Sequence, residues 1–218
     1  MTRPIILHPA TPAEVVTLIL HNYWHPTTLI VGSPRQPFME AFIYEVNALP
    51  EETLPQIRQK TLLQTSVSRH IRVAFAPTIT HLRGFLSVFT QSDSRVSPPP
   101  HQSQQQQKKN SQQPLLIAYG FLEVHRMTTE WSAQGLGTSA ASLVEAAMRN
   151  GFRAAIVEPR GGGDGFETWS SFAEEKAPIL NGTVMRESGA WAGRMVEIGR
   201  ILGRWFEIER LPGEEAIT

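Results

Sequence analysis

The residues best placed to do chemistry lie where an apolar strand turns on a glycine. In TTLIVGSPRQPFMEAFIYEV, Gly32 stands between a strand pattern and a helix pattern, which is the layout of a phosphate-binding loop. A working loop reads G-x-x-x-x-G-K-[ST]. Here the second glycine is replaced by Pro37, which has no N–H to donate to a phosphate. Phe38 and Met39 replace the lysine and the hydroxyl residue, so ATP hydrolysis is not expected.

The strand LLIAYG carries a second landmark. In nucleotide-binding sheets of this kind, a strand ends in an aspartate that helps to hold magnesium. This strand has Tyr119 at that position, and a neutral phenol is a poor magnesium ligand at neutral pH. We therefore expect neither a metal nor a cofactor.

Other reactive groups are few. The chain has no cysteine, which excludes disulfides, thiolate catalysis and cysteine-based metal sites. The seven histidines show no H-E-x-x-H spacing, GLGTSAAS lacks the G-x-S-x-G pattern, and GGGDG lacks dinucleotide spacing. The chain is not expected to be an enzyme, although an unrecognised α/β enzyme stays open as an alternative.

Strands and helices alternate around these residues. Thr11, Pro12 and Glu14 form a capping box that starts a first helix. Apolar strands are predicted in TTLIVG, RHIRVAFAPT, PLLIAYGFLEVH and FRAAIVEP. Apolar runs without alternation are typical of strands that are covered on both faces. The sequence therefore predicts an α/β fold with a mostly parallel sheet flanked by helices.

Helical periodicity follows the strands. A helix restarts at Pro37, and two more are predicted in ITHLRGFLSVF and SAQGLGTSAASLVEAAMRNG, with Gly151 as a left-handed cap. Their predicted apolar stripes are Met39, Phe42, Ile43 and Val46; Leu82, Phe85, Leu86 and Phe89; and Leu136, Ala140, Leu143, Val144, Ala147 and Met148. Partial alternation in residues 195–198 and 204–208 predicts a C-terminal antiparallel β-hairpin.

Composition indicates one domain. Residues 1–218 are expected to form a single unit, interrupted by a disordered insertion at about 91–113 that contains eight glutamines and the run PPP. Lys+Arg and Asp+Glu balance at 20 each, which argues against a protein that coats nucleic acid on its own. No secretory signal and no long apolar run is present, so no membrane contact is expected.

The segment PLLIAYGFLEVHRMTTEWSAQGLGTSAASLVEAAMRNGFRAAIVEP resembles the second half of a RecA-type recombinase core. TEWSAQG is similar to the family's G-E-[LF]-S-x-R-Q stretch, with Gln134 in place of the arginine. RVAFAPTITHLRGFL is similar to the strand and helix that carry the family's catalytic glutamate, and Thr78 is nearest to that position. The resemblance covers residues 27–157, and the small size and lost ATP motifs are most similar to recombinase paralogues of the Shu type.

This resemblance implies a RecA-like domain that assists homologous-recombination DNA repair in the nucleus. It implies a heteromeric complex with another RecA-like paralogue or a SWIM-domain protein, and contact with the main recombinase. Two loops, at 125–130 and 160–166, would face single-stranded DNA. Arg126 and Arg160 would bind phosphates, and Trp131 or Phe166 would stack on a base. The alternative is a RecA-like scaffold subunit of an Elongator-type tRNA-modification complex.

Overall fold

The computed structural model describes residues 3–22, 26–48, 68, 71–93, 114–160, 168–180 and 194–209. Strands and helices alternate along these residues, as the sequence predicts. The strands are β1 (Ile5–Ile6), β2 (Thr27–Val31), β3 (Ile71–Phe75), β4 (Leu115–Tyr119), β5 (Arg153–Val157), β6 (Lys176–Pro178), β7 (Met195–Glu197) and β8 (Glu207–Ile208). The helices are α1 (Pro12–Asn22), α2 (Arg35–Ala48), α3 (Ile79–Val88), α4 (Phe121–His125), α5 (Ala133–Arg149), α6 (Trp169–Glu174) and α7 (Ile198–Leu202).

Six of these strands form one parallel sheet in the order β3-β2-β4-β5-β1-β8. Central strands β2 and β4 are buried along their whole length, which explains why their sequences are apolar without alternation. The predicted α/β fold with a parallel sheet is confirmed.

The sheet has a hydrophobic core on each face, because successive side chains of a strand point to opposite sides. On one face, α3 and α5 pack over strand residues that include Ile30, Leu116 and Ile156. On the other face, α1 covers the alternate residues, which include Leu29, Ile117 and Val157. The sheet therefore holds all of its carboxyl ends at one edge, between two layers of helices. None of the described helices is long and apolar enough to span a bilayer.

The two-stranded antiparallel sheet differs from the predicted C-terminal hairpin. β7 begins where that hairpin does, but it pairs with β6 rather than with residues 204–208. Between the two predicted strands the chain forms helix α7, whose Ile198, Ile201 and Leu202 are buried. β8 instead lies parallel to β1 at the edge of the main sheet. The alternation that predicted two strands is equally compatible with one short helix that buries residues at i, i+3 and i+4.

Several predicted boundaries and stripes also change. The strand predicted in PLLIAYGFLEVH ends at Tyr119, and the residues after Gly120 form α4. Helix α2 begins at Arg35, two residues before Pro37, and its buried residue is Phe38 rather than the predicted stripe. The predicted stripe of α3 is confirmed by the buried Leu82, Leu86 and Phe89, whereas Met148 of α5 is exposed.

The first residues of the predicted insertion are ordered. Gln91–Asp93 form a short 3-10 helix, and the Gln91 N–H donates to Asn150 Oδ1 at 2.9 Å. Asn150 and the following Gly151, with φ 73°, close helix α5 as predicted. The rest of the predicted insertion, residues 94–113, lies outside the described residues.

Candidate functional site

Gly32 holds the end of β2 against the end of β4. Its N–H donates to the Tyr119 carbonyl oxygen at 2.8 Å. A Cβ atom on Gly32 would lie 2.4 Å from Val124 Cγ2 and 2.6 Å from the Gly120 carbonyl oxygen. Only glycine fits there, and the reason is the close approach of two backbones, not room for a phosphate.

Aromatic rings fill the space beside this turn. Phe38 is buried, and its ring meets the Tyr119 ring edge to face at a centroid distance of 5.6 Å. The Phe75 ring meets Phe38 from another side at 6.0 Å. The positions of the phosphate-binding lysine and the magnesium-binding aspartate are thus in contact in this chain, but they are joined by apolar packing.

The other two positions of the loop face solvent. Pro37 is the third residue of α2 and is exposed, which suits a residue that has no N–H to offer in the first helical turn. Met39 is 36% exposed. Neither residue faces the cluster formed by Phe38, Phe75 and Tyr119.

The Tyr119 hydroxyl is tied to the backbone. It donates to the Ala10 carbonyl oxygen at 3.0 Å, in the segment that joins β1 to α1. Burial raises the pKa of Tyr119, and the carboxylates of Glu45, Glu158 and Glu14 raise it further. The phenol therefore stays neutral and acts as a hydrogen-bond donor, not as a metal ligand.

A second strand–loop–helix turn, from β1 to α1, lies beside the first. The start of a helix attracts anions through its free N–H groups. Here those groups bind the chain's own carboxylates, since Thr11 N donates to Glu14 Oε2 at 2.9 Å and Ala13 N donates to Glu45 Oε2 at 3.0 Å. The Thr11 hydroxyl accepts from Glu14 N at 3.4 Å, which confirms the predicted capping box. The start of α1 is thus already occupied by anions from the protein itself.

Glu158, at the carboxyl end of β5, holds the first turn of helix α4. This residue follows β5, is 1% exposed, and accepts a hydrogen bond from Leu122 N at 2.9 Å. Burial raises the pKa of Glu158 to about 8, although the Leu122 N–H and the nearby Arg126 act in the other direction. The carboxyl group caps α4, which in turn positions the predicted DNA-facing loop at residues 125–130.

His125 anchors that loop to the interior. The imidazole is buried, with Nδ1 2.7 Å from the Phe121 carbonyl oxygen and Nε2 2.9 Å from Ser139 Oγ. Because a carbonyl can only accept, Nδ1 carries the proton and Ser139 donates to Nε2. Burial lowers the pKa of His125, which favours this neutral form. Both members of the Ser–His pair are buried, so no substrate can reach them and the pair is structural.

Arg83 extends the same network. Its Nε donates to Ser139 Oγ at 3.1 Å, and Nη2 donates to Glu130 Oε2 at 2.7 Å and to the Gly135 carbonyl oxygen at 3.0 Å. Helix α3 is thereby joined to both ends of the loop through His125 and Glu130. The loop is thus fixed at its first residue, His125, and at its last residue, Glu130.

Arg126 and Trp131 are in contact, as a DNA-facing pair requires, but both have partners within the chain. The Arg126 guanidinium lies 5.2 Å from the Trp131 ring and 2.6 Å from Glu175 Oε1. It also lies 3.4 Å from Glu123 Oε2. The hydrogen bond to Glu175 raises the pKa of Arg126, followed by the nearby carboxylates. Trp131 is half-buried against the core.

The second predicted loop is described only at its start. The Arg160 guanidinium pairs with Glu14, and its backbone N–H donates to the Ala10 carbonyl oxygen at 3.2 Å. The arginine thus joins the end of β5 to the start of α1. Phe166 lies outside the described residues.

Met127, at the tip of the loop, is a residue that the sequence analysis missed. Its side chain is fully exposed, and its φ of 58° is left-handed, which is uncommon for a residue other than glycine. The neighbours hold it there, since the Thr128 hydroxyl donates to the His125 carbonyl oxygen at 2.7 Å. The sequence HRMTTE does not predict the exposure or the left-handed backbone of Met127, because both depend on the hydrogen bonds that fix the loop in the folded chain.

An open polar groove lies beside the loop. It has a volume of about 710 Å³ and is bordered by hydroxyl groups and by the Arg83–Glu130 ion pair. Thr78, the position nearest to the family's catalytic glutamate, lies at its edge and accepts a hydrogen bond from His81 N at 3.2 Å. The Thr78 hydroxyl therefore caps helix α3. Among the described residues, no three metal-ligating side chains cluster here or elsewhere.

Comparison with known proteins adds no family to this picture, because no family model and no curated protein sequence matches the chain. The fold and the site define an α/β protein in which packed side chains occupy the carboxyl edge of a parallel sheet. The RecA-like resemblance stays a prediction.

Proposed function

We propose that this chain is a non-catalytic RecA-like recombinase paralogue that assists homologous-recombination DNA repair in the nucleus. It acts as a subunit of a heteromeric complex and contacts single-stranded DNA through the loop at 125–130. Another RecA-like paralogue or a SWIM-domain protein is its partner, and the complex meets the main recombinase.

The packing at the carboxyl edge supports the absence of catalysis. Phe38 and Tyr119 pack against each other where a lysine and an aspartate would be needed, and the Gly32 N–H is bound to the Tyr119 carbonyl oxygen. The start of α1 binds Glu14 and Glu45. An incoming phosphate would meet rings and carboxylates, both of which disfavour it.

Met127 carries the proposal of DNA contact. Its apolar side chain is fully exposed, and its left-handed backbone, which costs about 1 kcal/mol or more, is held by a loop that is fixed at both ends. Apolar wedges, methionine among them, insert between nucleic-acid bases. The half-buried Trp131 and Arg126 lie beside it, and a phosphate would compete with Glu175 for the Arg126 guanidinium.

Exposed apolar surface supports a partner. On α2, Ile43 is 52% exposed and Tyr44 is 75% exposed. Val73 is also exposed on β3, which forms one edge of the described sheet. Large apolar groups at a sheet edge are typical of surfaces that another chain covers.

The test is binding of a fluorescein-labelled oligothymidylate, measured by fluorescence anisotropy. Met127→Gly removes the side chain and suits the left-handed backbone, so the fold is retained and gains about 1 kcal/mol of stability. We expect the variant to bind about tenfold more weakly, a loss of about 1.4 kcal/mol, because the apolar contact with a base is removed.

Met39→Ala is the matched control, because this methionine is exposed away from the loop. Equal DNA affinity of the wild type and Met127→Gly would remove the proposed role of the loop. Purification of the tagged chain with its partners separates the two kinds of complex: recombination proteins support the proposal, and Elongator subunits contradict it.

A further inference from the structure

A second groove lies along the first half of α5. It has a volume of about 510 Å³ and runs along α5 beside the β6–β7 sheet and helix α7. We call it the α5 groove; its lining residues are Ala133, Gln134, Gly137, Thr138, Ala141, Ile179, Val196, Arg200, Ile201, Arg204 and Trp205.

The α5 groove is positively charged. Arg200 and Arg204 are both exposed at its border, and none of the described residues that line it is acidic. Within the described part of the chain, neither guanidinium makes an ion pair or a hydrogen bond. They differ in this from Arg83, Arg126, Arg149 and Arg160, which all pair with glutamates. Two unpaired cations at one border select an occupant that carries carboxylates or phosphates.

The floor of the groove is apolar, and its polar groups are already used. Gln134 Nε2 donates to the Leu180 carbonyl oxygen at 3.2 Å, while Leu180 N donates to Gln134 Oε1 at 3.0 Å. The Thr138 hydroxyl donates to the Gln134 carbonyl oxygen at 2.8 Å. Exposed Trp205, Leu180 and Met195 extend the apolar surface at and beside the groove. The floor thus offers contact area but few free donors.

We propose that the α5 groove binds an acidic amphipathic segment of a partner protein. The apolar side chains of that segment lie on the floor and against Trp205, and its carboxylates pair with Arg200 and Arg204. Tryptophan, arginine and methionine are the residue types that dominate protein interfaces. A nucleic acid strand would also present base edges to the floor, and the polar side chains there, Gln134 and Thr138, are already engaged. The inference rests on the proposed heteromeric role and gives the chemistry of the partner.

The probe is a fluorescein-labelled peptide of two heptads, with leucine at the a and d positions and glutamate elsewhere. We expect it to bind the full chain and to bind Arg200→Glu/Arg204→Glu about tenfold more weakly. Gly137→Leu fills the floor, where a Cβ has no neighbour within 4 Å, so the fold tolerates the change and peptide binding falls. Gly84→Leu is the matched control, because that position is equally open but lies on α3 outside the groove.

Equal binding of a peptide with lysine in place of glutamate would overturn the proposal. So would unchanged binding by Gly137→Leu, or oligothymidylate binding that is lost in Arg200→Glu/Arg204→Glu. The peptide and the Met127 assays are independent readouts. If the peptide binds the groove but Met127→Gly leaves DNA affinity unchanged, the groove proposal holds and the proposed DNA contact is contradicted. If DNA affinity falls in Met127→Gly but the peptide does not bind, only the groove proposal is contradicted.

Discussion

At the scale of single residues, Gly32 has a different role from the one its neighbourhood suggests. A glycine after an apolar strand is typical of a phosphate loop because its N–H can turn toward an anion. Here the N–H bonds the Tyr119 carbonyl oxygen, and the missing Cβ admits Val124 and Gly120. The glycine joins two strand ends and contributes to stability rather than to binding.

The matched pair Gly32→Ala and Gly84→Ala tests this role. We expect Gly32→Ala to lower the free energy of unfolding by about 2–4 kcal/mol, since the added Cβ collides with a backbone oxygen. Gly84→Ala, in open space on α3, should raise it by about 0.5–1 kcal/mol through helix propensity. Urea denaturation measures both, and a neutral Gly32→Ala would contradict the close approach.

The sequence predicted single residues unevenly. Pro37, Phe38 and Met39 were identified as substitutions from their types alone, because a phosphate loop has strict chemical requirements. Their structural roles could not be predicted, since Phe38 meets Tyr119 across 81 positions of sequence. Met127 was missed because exposure is a property of the folded loop.

At the scale of elements, α4 depends on a residue from another strand. It is a short helix with no side-chain cap of its own, and it follows Gly120 in a left-handed conformation. Glu158, at the end of β5, accepts the hydrogen bond from Leu122 N in its first turn. The apolar pattern alone predicts a strand through FLEVH, because the residue that caps α4 lies in a different segment of the chain.

Glu158 should make stability depend on pH. Its pKa rises from an ordinary 4.5 to about 8 in the fold, so the folded state binds the proton more tightly than the unfolded state. The associated stability is fully present below about pH 4.5 and is lost as the pH rises through 8. Glu158→Gln cannot ionise, and we expect the gap in unfolding free energy between pH 6 and pH 9 to shrink by about 1 kcal/mol or more.

Thermal denaturation of wild type and Glu158→Gln at both pH values gives the comparison. Glu40→Gln, on the exposed face of α2, is the control for a change of charge. An unchanged pH dependence in Glu158→Gln would show that the carboxyl group is not protonated in the fold at neutral pH.

At the scale of the whole molecule, the class of fold was predictable from the sequence, but the outer strands of the sheet were not. Strands β2, β4 and β5 are apolar without alternation because helices cover both faces, and that pattern is visible in sequence. β1 and β8 have two residues each, too few for any periodicity. They enter the sheet through pairing with β5 and with each other, which is a long-range effect.

The whole chain should be indifferent to ATP and magnesium. A ligand at a hundredfold excess over its dissociation constant stabilises a protein by about 2.7 kcal/mol. We expect no magnesium-dependent rise in Tm with ATP, because rings and carboxylates fill the edge where phosphates would bind. A clear rise in Tm, or magnesium-dependent turnover, would contradict the proposed absence of catalysis.

The packing of Phe38, Phe75 and Tyr119 also makes it difficult for single substitutions to create a nucleotide site at this turn. Phe38→Lys, the first step toward a phosphate loop, would place an ammonium group between two rings and remove a buried side chain before any ligand could bind. Tyr119→Asp would remove one of the two donors of the Ala10 carbonyl oxygen and would place a carboxylate among buried rings. Each substitution toward a nucleotide site therefore lowers stability on its own, before a second substitution could add a phosphate contact.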